Sequence, residues 1–181
     1  EGFEAGGHNG KEETTTMTLI PAVRRVTSLP LLAAGGIGTG EAILAAMALG
    51  ADGAQIGSRF AISEESSAHP DFKKMVTGLT EGDTKLALKK IGAVRLIKNE
   101  FFQTINKMEQ DGASPDDLRV MLGRGRAKLG MFEGDLEKGE LEIGQVASII
   151  NEILPVETIM ANLIQEYQQA KTRMNTREFD F

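Results

Sequence analysis

The sequence predicts an α/β protein that contains a parallel strand–helix–strand unit. A continuous apolar run over 29–34 ends at a glycine pair and is too short for a helix, so it predicts a fully buried strand. The alanine-rich segment 41–49 predicts a helix that ends at Gly50. Residues 51–57 predict a second short strand. Because short connections join the three elements, they favour a parallel βαβ unit.

The flanking segments are predicted from apolar spacing and from helix-capping residues. Apolar residues recur at helical spacing over 14–27, and Pro21 is expected in the first turn of that helix. Further helices are predicted over 67–90 with a break at 78–83, over 99–110, from Pro115 behind a Ser114 cap, and over 143–153 and 156–174. Residues 93–98 predict one more strand, and the polar, glycine-containing segment 130–139 predicts a surface loop. The charged tail over 171–181 is expected to fray.

Composition excludes several classes of protein. The 181 residues include no Cys and only two His, so disulfides, thiolate sites and a histidine-built zinc site are excluded, and no metal site is predicted. A formal charge of −6 argues against non-specific nucleic-acid binding. No apolar stretch is long enough to cross a bilayer, and no signal-peptide pattern is present, so no membrane association and a cytoplasmic location are expected.

Glycine is concentrated near the start of the chain, where 11 of the 21 glycines fall within residues 1–60. Gly35 and Gly36 follow the first predicted strand, and Gly57 and Ser58 follow the second. In parallel α/β folds ligands bind at the carboxyl ends of strands, where backbone N–H groups and the next helix can hold a phosphate. The alternative, that these glycines only form tight turns, stays open. Neither a GxGxxG nor a GxxxxGK[ST] motif is present.

His8 is the second feature of interest, since three nearby glycines place it on an exposed loop. Histidine is the side chain best suited to take a proton near neutral pH. A surface histidine without a role is the alternative at this stage. His69, which precedes Pro70 in a polar stretch, is expected to be such a residue.

Three segments, 1–10, 32–37 and 55–60, together resemble the nitronate monooxygenase family, formerly called 2-nitropropane dioxygenases, which includes the flavin-dependent enoyl-acyl-carrier-protein reductase II. The resemblance implies a TIM (β/α)8 barrel that binds FMN, with a helical substrate-side region. It implies that His8 is the catalytic base and that Gly6 lies near the flavin ring. It also implies that the FMN phosphate and its neighbouring atoms contact Gly35, Gly36, Gln55, Ile56, Gly57 and Ser58.

This sequence departs from the family at two of these positions. Glu1 stands where many members have Gln, and an ionised carboxylate cannot donate the amide hydrogen bond to a flavin. Ser58 replaces the more frequent Thr and keeps the hydroxyl group.

The resemblance divides the chain into part of a barrel over 1–98, a helical substrate-side region over 99–153, and a helix and tail over 154–181. Only four strand segments can be found, counting residues 1–4, whereas a complete barrel takes about 250 residues. We therefore expect a C-terminal portion of a longer protein, whose partner is the N-terminal part of the same barrel and which is inactive alone.

Three functions are compatible with the sequence. The first is oxidation of alkyl nitronates by FMN and O₂, with His8 as the base. The second is reduction of an enoyl thioester, with NAD(P)H as the reductant. The third is a non-catalytic segment that only binds flavin or phosphate. The physiological substrate and the oligomeric state, a homo-oligomer included, are left open.

Overall fold

The computed structural model describes residues 1–176, which form two small sheets surrounded by helices. The strands are β1 (Gly7–His8), β2 (Leu32–Ala34), β3 (Gly53–Gln55), β4 (Thr84–Ala87) and β5 (Val94–Ile97). The α-helices are α1 (Thr16–Arg24), α2 (Gly40–Ala48), α3 (Ser58–Ala61), α4 (Pro70–Val76), α5 (Glu100–Gln110), α6 (Pro115–Leu122) and α7 (Val156–Asn175). A π-helical turn (Lys128–Phe132) and a 3₁₀ helix (Gln145–Ile149) complete the elements. No helix of these residues is long and apolar enough to cross a membrane.

The predicted βαβ unit is confirmed. β2 and β3 pair in parallel, with Ala33 opposite Ala54, and α2 connects them. One face of this sheet packs on α1 and α2 in a cluster of Ile20, Ala33, Ile37, Ala46 and Ala51. The prediction of a fully buried strand holds for Ala33, which is 3% exposed, but is wrong for Leu32, which is 60% exposed. Within residues 1–176 this sheet has only two strands, and the Leu32 side chain on its other face is largely exposed.

The second sheet is antiparallel, in the order β1-β5-β4. β5 confirms the strand predicted over 93–98, and its buried side chains pack with those of α5 and α6. Residues 1–4 are not a strand, because they turn back on themselves: Ala5 N–H donates to the Gly2 carbonyl at 3.1 Å. The strand near the start of the chain is instead β1. The divisions after residues 98 and 153 remain predictions.

Pro21 lies inside α1 and not in its first turn, so the predicted start of that helix is wrong. Thr15 is the N-cap residue, and its side chain accepts a hydrogen bond from Thr18 N–H. Pro21 has no N–H to donate to the Met17 carbonyl. Met17 is 69% exposed, so water can bond that carbonyl and the helix continues through the proline.

Three further segments differ from their predictions. The second half of 67–90 is the strand β4, because pairing with β5 takes up its backbone groups. The segment 143–153 contains only the short 3₁₀ helix. The segment 130–139 is not simply a surface loop: a methyl group at Gly130 would lie 2.5 Å from Leu141 Cδ2 and 3.0 Å from Gly139 Cα. Glycines are therefore needed where two backbone segments touch.

The remaining helix predictions are confirmed. Asn99 caps α5, and Ser114 forms a capping box with Asp117 at the start of α6. α7 begins after Pro155 and continues to Asn175, so the residues from 171 to 175 are helical and not frayed. The last five residues of the predicted tail, 177–181, lie outside the described residues.

Candidate functional site

A cavity of about 280 Å³ opens at the carboxyl ends of β2 and β3. Six of the sequence-predicted site residues line it together: Gly6, Gly35, Gly36, Gln55, Gly57 and Ser58. The βαβ unit supplies the last five of these, and the loop before β1 supplies Gly6. The cavity is therefore shared between the parallel sheet and the segment that leads to the antiparallel sheet.

Gly35 and Gly36 are required by the backbone itself. Their φ angles are 95° and 68°, which side chains other than glycine rarely adopt. A methyl group at Gly35 would also lie 2.7 Å from the Gly2 carbonyl oxygen. Gly2 N–H donates to the Ala34 carbonyl at 2.9 Å, which holds the start of the chain against this turn. Turn geometry thus accounts for the two glycines whether or not a ligand binds.

Gly57 differs from this pair. Its φ is −96°, and a methyl group there would have no atom within 4 Å. Neither strain nor packing therefore requires glycine at this position. Its missing side chain leaves the backbone at the start of α3 accessible, as close approach of a bound group would demand.

Ser58 offers a hydrogen-bond donor at the same place. Its Oγ accepts a hydrogen bond from Gly144 N–H at 2.9 Å. Because this bond uses a lone pair of the oxygen, the hydroxyl hydrogen remains available to a group in the cavity. Gly144 and Gly6 form the opposite wall, where a methyl group at Gly6 would lie 2.5 Å from Gly144 N.

The amino-terminal end of α2 does not contribute in the way the sequence suggested. Gly40 N–H donates to Glu166 Oε2 of α7 at 2.8 Å, and the Thr39 side chain accepts from Ala42 N–H. Two of the amides at this helix end are thus already bonded within the protein. No Lys or Arg belongs to the cavity lining among residues 1–176. An anion bound there would rely on other N–H groups and on Ser58.

The two other predicted site residues lie outside the cavity lining. Ile56 packs its partly buried side chain against the cluster beneath α1 and α2, next to Ile43. His8 is exposed on β1, where it pairs with Val94 of β5, two residues after the cavity residue Gly6. The structure therefore places His8 two residues along the chain from a cavity residue but not in the cavity wall.

A buried arginine holds the loop before β1. Arg95 is 2% exposed, and its Nε and Nη2 donate to the Phe3 carbonyl at 3.0 and 2.7 Å. Its guanidinium also lies 5.2 Å from the centre of the Phe3 ring. Burial lowers the pKa of Arg95, while the charges of Glu4 and Glu13 act in the opposite direction. This arginine fixes the segment that carries both Gly6 and His8.

Two carboxyl groups near His8 were missed by the sequence reasoning. Glu142 lines the cavity, and Glu140 is 7% exposed. Burial, and then the charge of Glu142, raises the pKa of Glu140 to about 7, while His8 and Arg126 oppose the rise. Burial also raises the pKa of Glu142, against the charge of His8. The alternation of polar and apolar residues over 140–143 is the signal that could have identified both as neighbours on one face.

Comparison with known proteins gives a consistent picture. The model of the nitronate monooxygenase family matches residues 1–166. A probable nitronate monooxygenase of Bacillus subtilis is 33% identical over 174 residues, which cover 92% of this chain and 50% of the relative. One of Staphylococcus aureus is 32% identical over 179 residues, covering 93% of this chain and 50% of the relative. The chain thus spans about half the length of these curated relatives.

Solved structures agree with the sequence matches. FabK from Thermotoga maritima superposes with a TM-score of 0.89 and 36% identity, covering 96% of this chain and 55% of FabK. Nitroalkane oxidase from Streptomyces ansochromogenes gives a TM-score of 0.76 and 28% identity, covering 96% of this chain and 52% of that enzyme. These matches confirm the predicted α/β fold of TIM-barrel type, here as part of a barrel. The chain belongs to the nitronate monooxygenase family of oxidoreductases.

Proposed function

We propose that this chain acts, as part of a whole barrel, in an FMN-dependent oxidoreductase that oxidises alkyl nitronates with O₂. The observation that carries the proposal is the convergence of two glycine-ended strands and Ser58 on one cavity. His8 follows the cavity residue Gly6 by two positions on β1. Membership of the nitronate monooxygenase family supports the same activity.

The residues of the cavity fit the phosphate end of FMN. Gly57 leaves open space beside its backbone, and Ser58 has a hydroxyl hydrogen to donate. Gly35 and Gly36 line the same cavity, so the backbone of two loops without side chains borders one space, where N–H groups can bind a phosphate. Gln55 also lines this cavity, as a further polar contact for the cofactor. The flavin, when bound, supplies the redox chemistry, and the protein orients it.

His8 is proposed as the base that takes a proton from the carbon next to the nitro group. Its exposed position on β1 lets a substrate approach from solvent, and its backbone is fixed by pairing with β5. Substrate that arrives already as the nitronate anion does not need this step. Glu1 also lines the cavity, and in its ionised form it can only accept hydrogen bonds from the cofactor.

The missing strands are proposed to come from the N-terminal part of the same barrel. β2 and β3 form a two-stranded parallel sheet, and parallel sheets of this kind are normally covered on both faces and continue at both edges. The exposed side chain of Leu32 supports this proposal. We therefore expect the chain alone to be inactive.

The second candidate is reduction of an enoyl thioester, with NAD(P)H as the reductant. The observation that favours it is the structural likeness to FabK, which is higher in TM-score and identity than the likeness to nitroalkane oxidase. Both chemistries use the same flavin cradle, so the site residues assigned above apply to either. A non-catalytic segment that binds flavin or phosphate is the third candidate.

One anaerobic experiment on the whole protein with bound flavin separates the two enzymatic candidates. Addition of an alkyl nitronate is expected to bleach the flavin absorbance nearly stoichiometrically. Rapid NADH oxidation that depends on a crotonyl thioester, without bleaching by nitronate, would instead establish the reductase.

A pair of histidine variants tests the catalytic role. His8→Ala is expected to retain flavin and lose most turnover of a neutral nitroalkane. The control is His69→Ala, because His69 caps α4 and does not line the cavity, and it should retain turnover. Full turnover by His8→Ala would support a binding-only role for this segment.

A further inference from the structure

His8 shares one face of the antiparallel sheet with Glu142. His8 is paired with Val94 of β5, and Glu142 forms an isolated bridge with Leu96. Val94 and Leu96 are two residues apart on one strand, so their side chains point to the same face of the sheet. The side chains of His8 and Glu142, which lie opposite them, point to that face as well. Glu140 lies two residues before Glu142 and extends this row of titratable side chains.

Glu142 also lies between His8 and the cavity. A methyl group on Gly7, the residue before His8, would lie 2.5 Å from Glu142 Oε2. The same side chain lines the cavity beside Gly6 and Gly144. Within residues 1–176 no ion pair joins His8 to Glu140 or Glu142, so the charge of His8 acts on these two carboxyl groups through space.

The charges around this row are few. Glu140 faces Glu142, His8 and Arg126, and Glu142 faces His8. Arg126 is largely engaged elsewhere: it donates to the carbonyls of Met121, Leu122 and Lys138 and lies 5.1 Å from the Phe101 ring centre. In the described part of the chain, the carboxyl group of Glu142 makes no hydrogen bond to another protein group. A positive charge on His8 is therefore its main electrostatic partner.

We propose that Glu142, with Glu140 behind it, is a positioning residue that stabilises the positively charged form of His8. The inference rests on the proposed function of His8 as a base. In that step the C–H bond beside the nitro group breaks, its electron pair stays on the nitronate, and the proton forms an N–H bond on the imidazole. The carboxylates favour this charge, and the proton then leaves from exposed His8 to solvent.

The proposal predicts a difference between two substrates of one enzyme. A neutral nitroalkane must lose a proton to His8, whereas a preformed nitronate needs no such step. In the whole protein, Glu142→Gln is expected to lower kcat for the neutral nitroalkane about tenfold, as loss of one favourable charge interaction would. The rate with the nitronate should fall much less than the rate with the neutral nitroalkane, because the nitronate transfers no proton to His8.

Matched variants make this test specific. Glu137→Gln removes a carboxylate from an exposed position nearby and should change neither rate. Glu142→Asp keeps the charge and should restore most of the rate with the neutral nitroalkane. Equal losses with both substrates, or no recovery in Glu142→Asp, would overturn the proposal.

A spectroscopic measurement separates this inference from the proposed function. Carboxyl ¹³C NMR of the whole protein follows the titration of Glu140 and Glu142 directly. If they are coupled to His8, His8→Asn should move both titration midpoints to higher pH, because the opposing positive charge is lost. Unmoved midpoints would contradict the coupling. A wild-type protein that oxidises neither substrate would contradict the proposed function, and the NMR result would still decide the coupling.

Discussion

At the scale of single residues, glycine is present for different physical reasons at Gly35, Gly36 and Gly57, the three positions of the proposed phosphate site. Gly35 and Gly36 have positive φ angles, so any side chain there strains the turn irrespective of ligand. Gly57 has an ordinary φ and free space around its missing side chain. It is therefore the position at which a ligand role can be tested without damaging the fold.

Gly57→Ala in the whole protein is expected to weaken FMN binding at least tenfold and to leave folding intact. The added methyl group points into open space in the protein but holds a bound phosphate away from the N–H groups. Gly10→Ala is the control, because a methyl group there also meets no atom within 4 Å and the residue lies outside the cavity lining. FMN dissociation constants and thermal midpoints of both variants would be measured. Equal FMN affinity in the two variants would contradict the cradle.

Glu140 makes stability depend on pH in a direction unusual for a carboxyl group. Its pKa in the folded protein is about 7, above the ordinary value of 4.5. Between these two values the folded state binds more protons than the unfolded state. The free energy of unfolding therefore falls as pH rises through this window, and the stabilising contribution is fully present only below about pH 4.5.

Glu140→Gln is expected to remove this dependence. Relative to the variant, the wild type should lose up to about 3 kcal/mol of unfolding free energy between about pH 4.5 and about pH 8. Urea denaturation of both proteins across this range gives the difference. Parallel curves for the two proteins would show that Glu140 ionises freely in the folded state.

At the scale of elements, Asn99 connects a helix end to the segment that carries the two carboxyl groups. Its Oδ1 accepts from Phe102 N–H at 3.0 Å and so caps α5. Its Nδ2 donates to the Leu136 and Gly139 carbonyls, each at 2.8 Å. One side chain thus both starts a helix and holds the chain immediately before Glu140.

Asn99→Asp is designed to separate these two roles. Aspartate keeps the cap of α5 but cannot donate to the carbonyl groups, and it places a charge against them in a buried site. We expect a loss of about 3 kcal/mol in unfolding free energy. Ser114→Ala, which removes an exposed cap from α6, should cost only about 1 kcal/mol. A loss in Asn99→Asp no greater than that in Ser114→Ala would mean that capping alone matters.

The elements that sequence predicted well are those with local causes. The βαβ unit, α5, α6 and α7 each carry their own caps or breakers, such as Gly50, Asn99, Ser114 and Pro155. The strand β4 was missed because its state depends on pairing with β5, which local periodicity does not record. The start of α1 was predicted wrongly from Pro21. The Met17 carbonyl, which Pro21 leaves without a donor, lies on an exposed residue, so the helix can continue through the proline.

In the site too, residues placed by local sequence were predicted and residues placed by contacts between distant segments were missed. Gly35, Gly36, Gly57 and Ser58 follow strands in the sequence, so a general property of parallel sheets brought them to one cavity. Glu142 reaches that cavity through a bridge to Leu96, a contact between distant segments. Gly40 N–H bonds to Glu166 for a similarly non-local reason, the packing of α7 on α2.

At the scale of the whole molecule, the described residues hold one wall of the cavity that we propose as a flavin site. The chain spans about half the length of its curated relatives, and its parallel sheet has two strands. In the proposed arrangement, the exposed side chain of Leu32 points toward the inside of the barrel. Cofactor affinity should therefore depend on both parts of the barrel, while the proposed phosphate contacts belong to the part described here.

Isolated residues 1–181 are accordingly expected to bind FMN much more weakly than the whole protein. Fluorescence titration of FMN into each would measure the difference. We expect the dissociation constant of the isolated chain to be at least about a hundredfold higher, since the remaining contacts of the cofactor are lost. Equal affinities would contradict the division of the site between two parts of the barrel.

The comparison of FMN with riboflavin, which lacks the phosphate, tests the central claim most directly. Both ligands would be titrated into the whole protein after removal of its flavin. Two or more hydrogen bonds to a charged phosphate predict that FMN binds at least about a hundredfold more tightly than riboflavin. Equal affinities of the two ligands would contradict a phosphate cradle at Gly35, Gly36, Gly57 and Ser58.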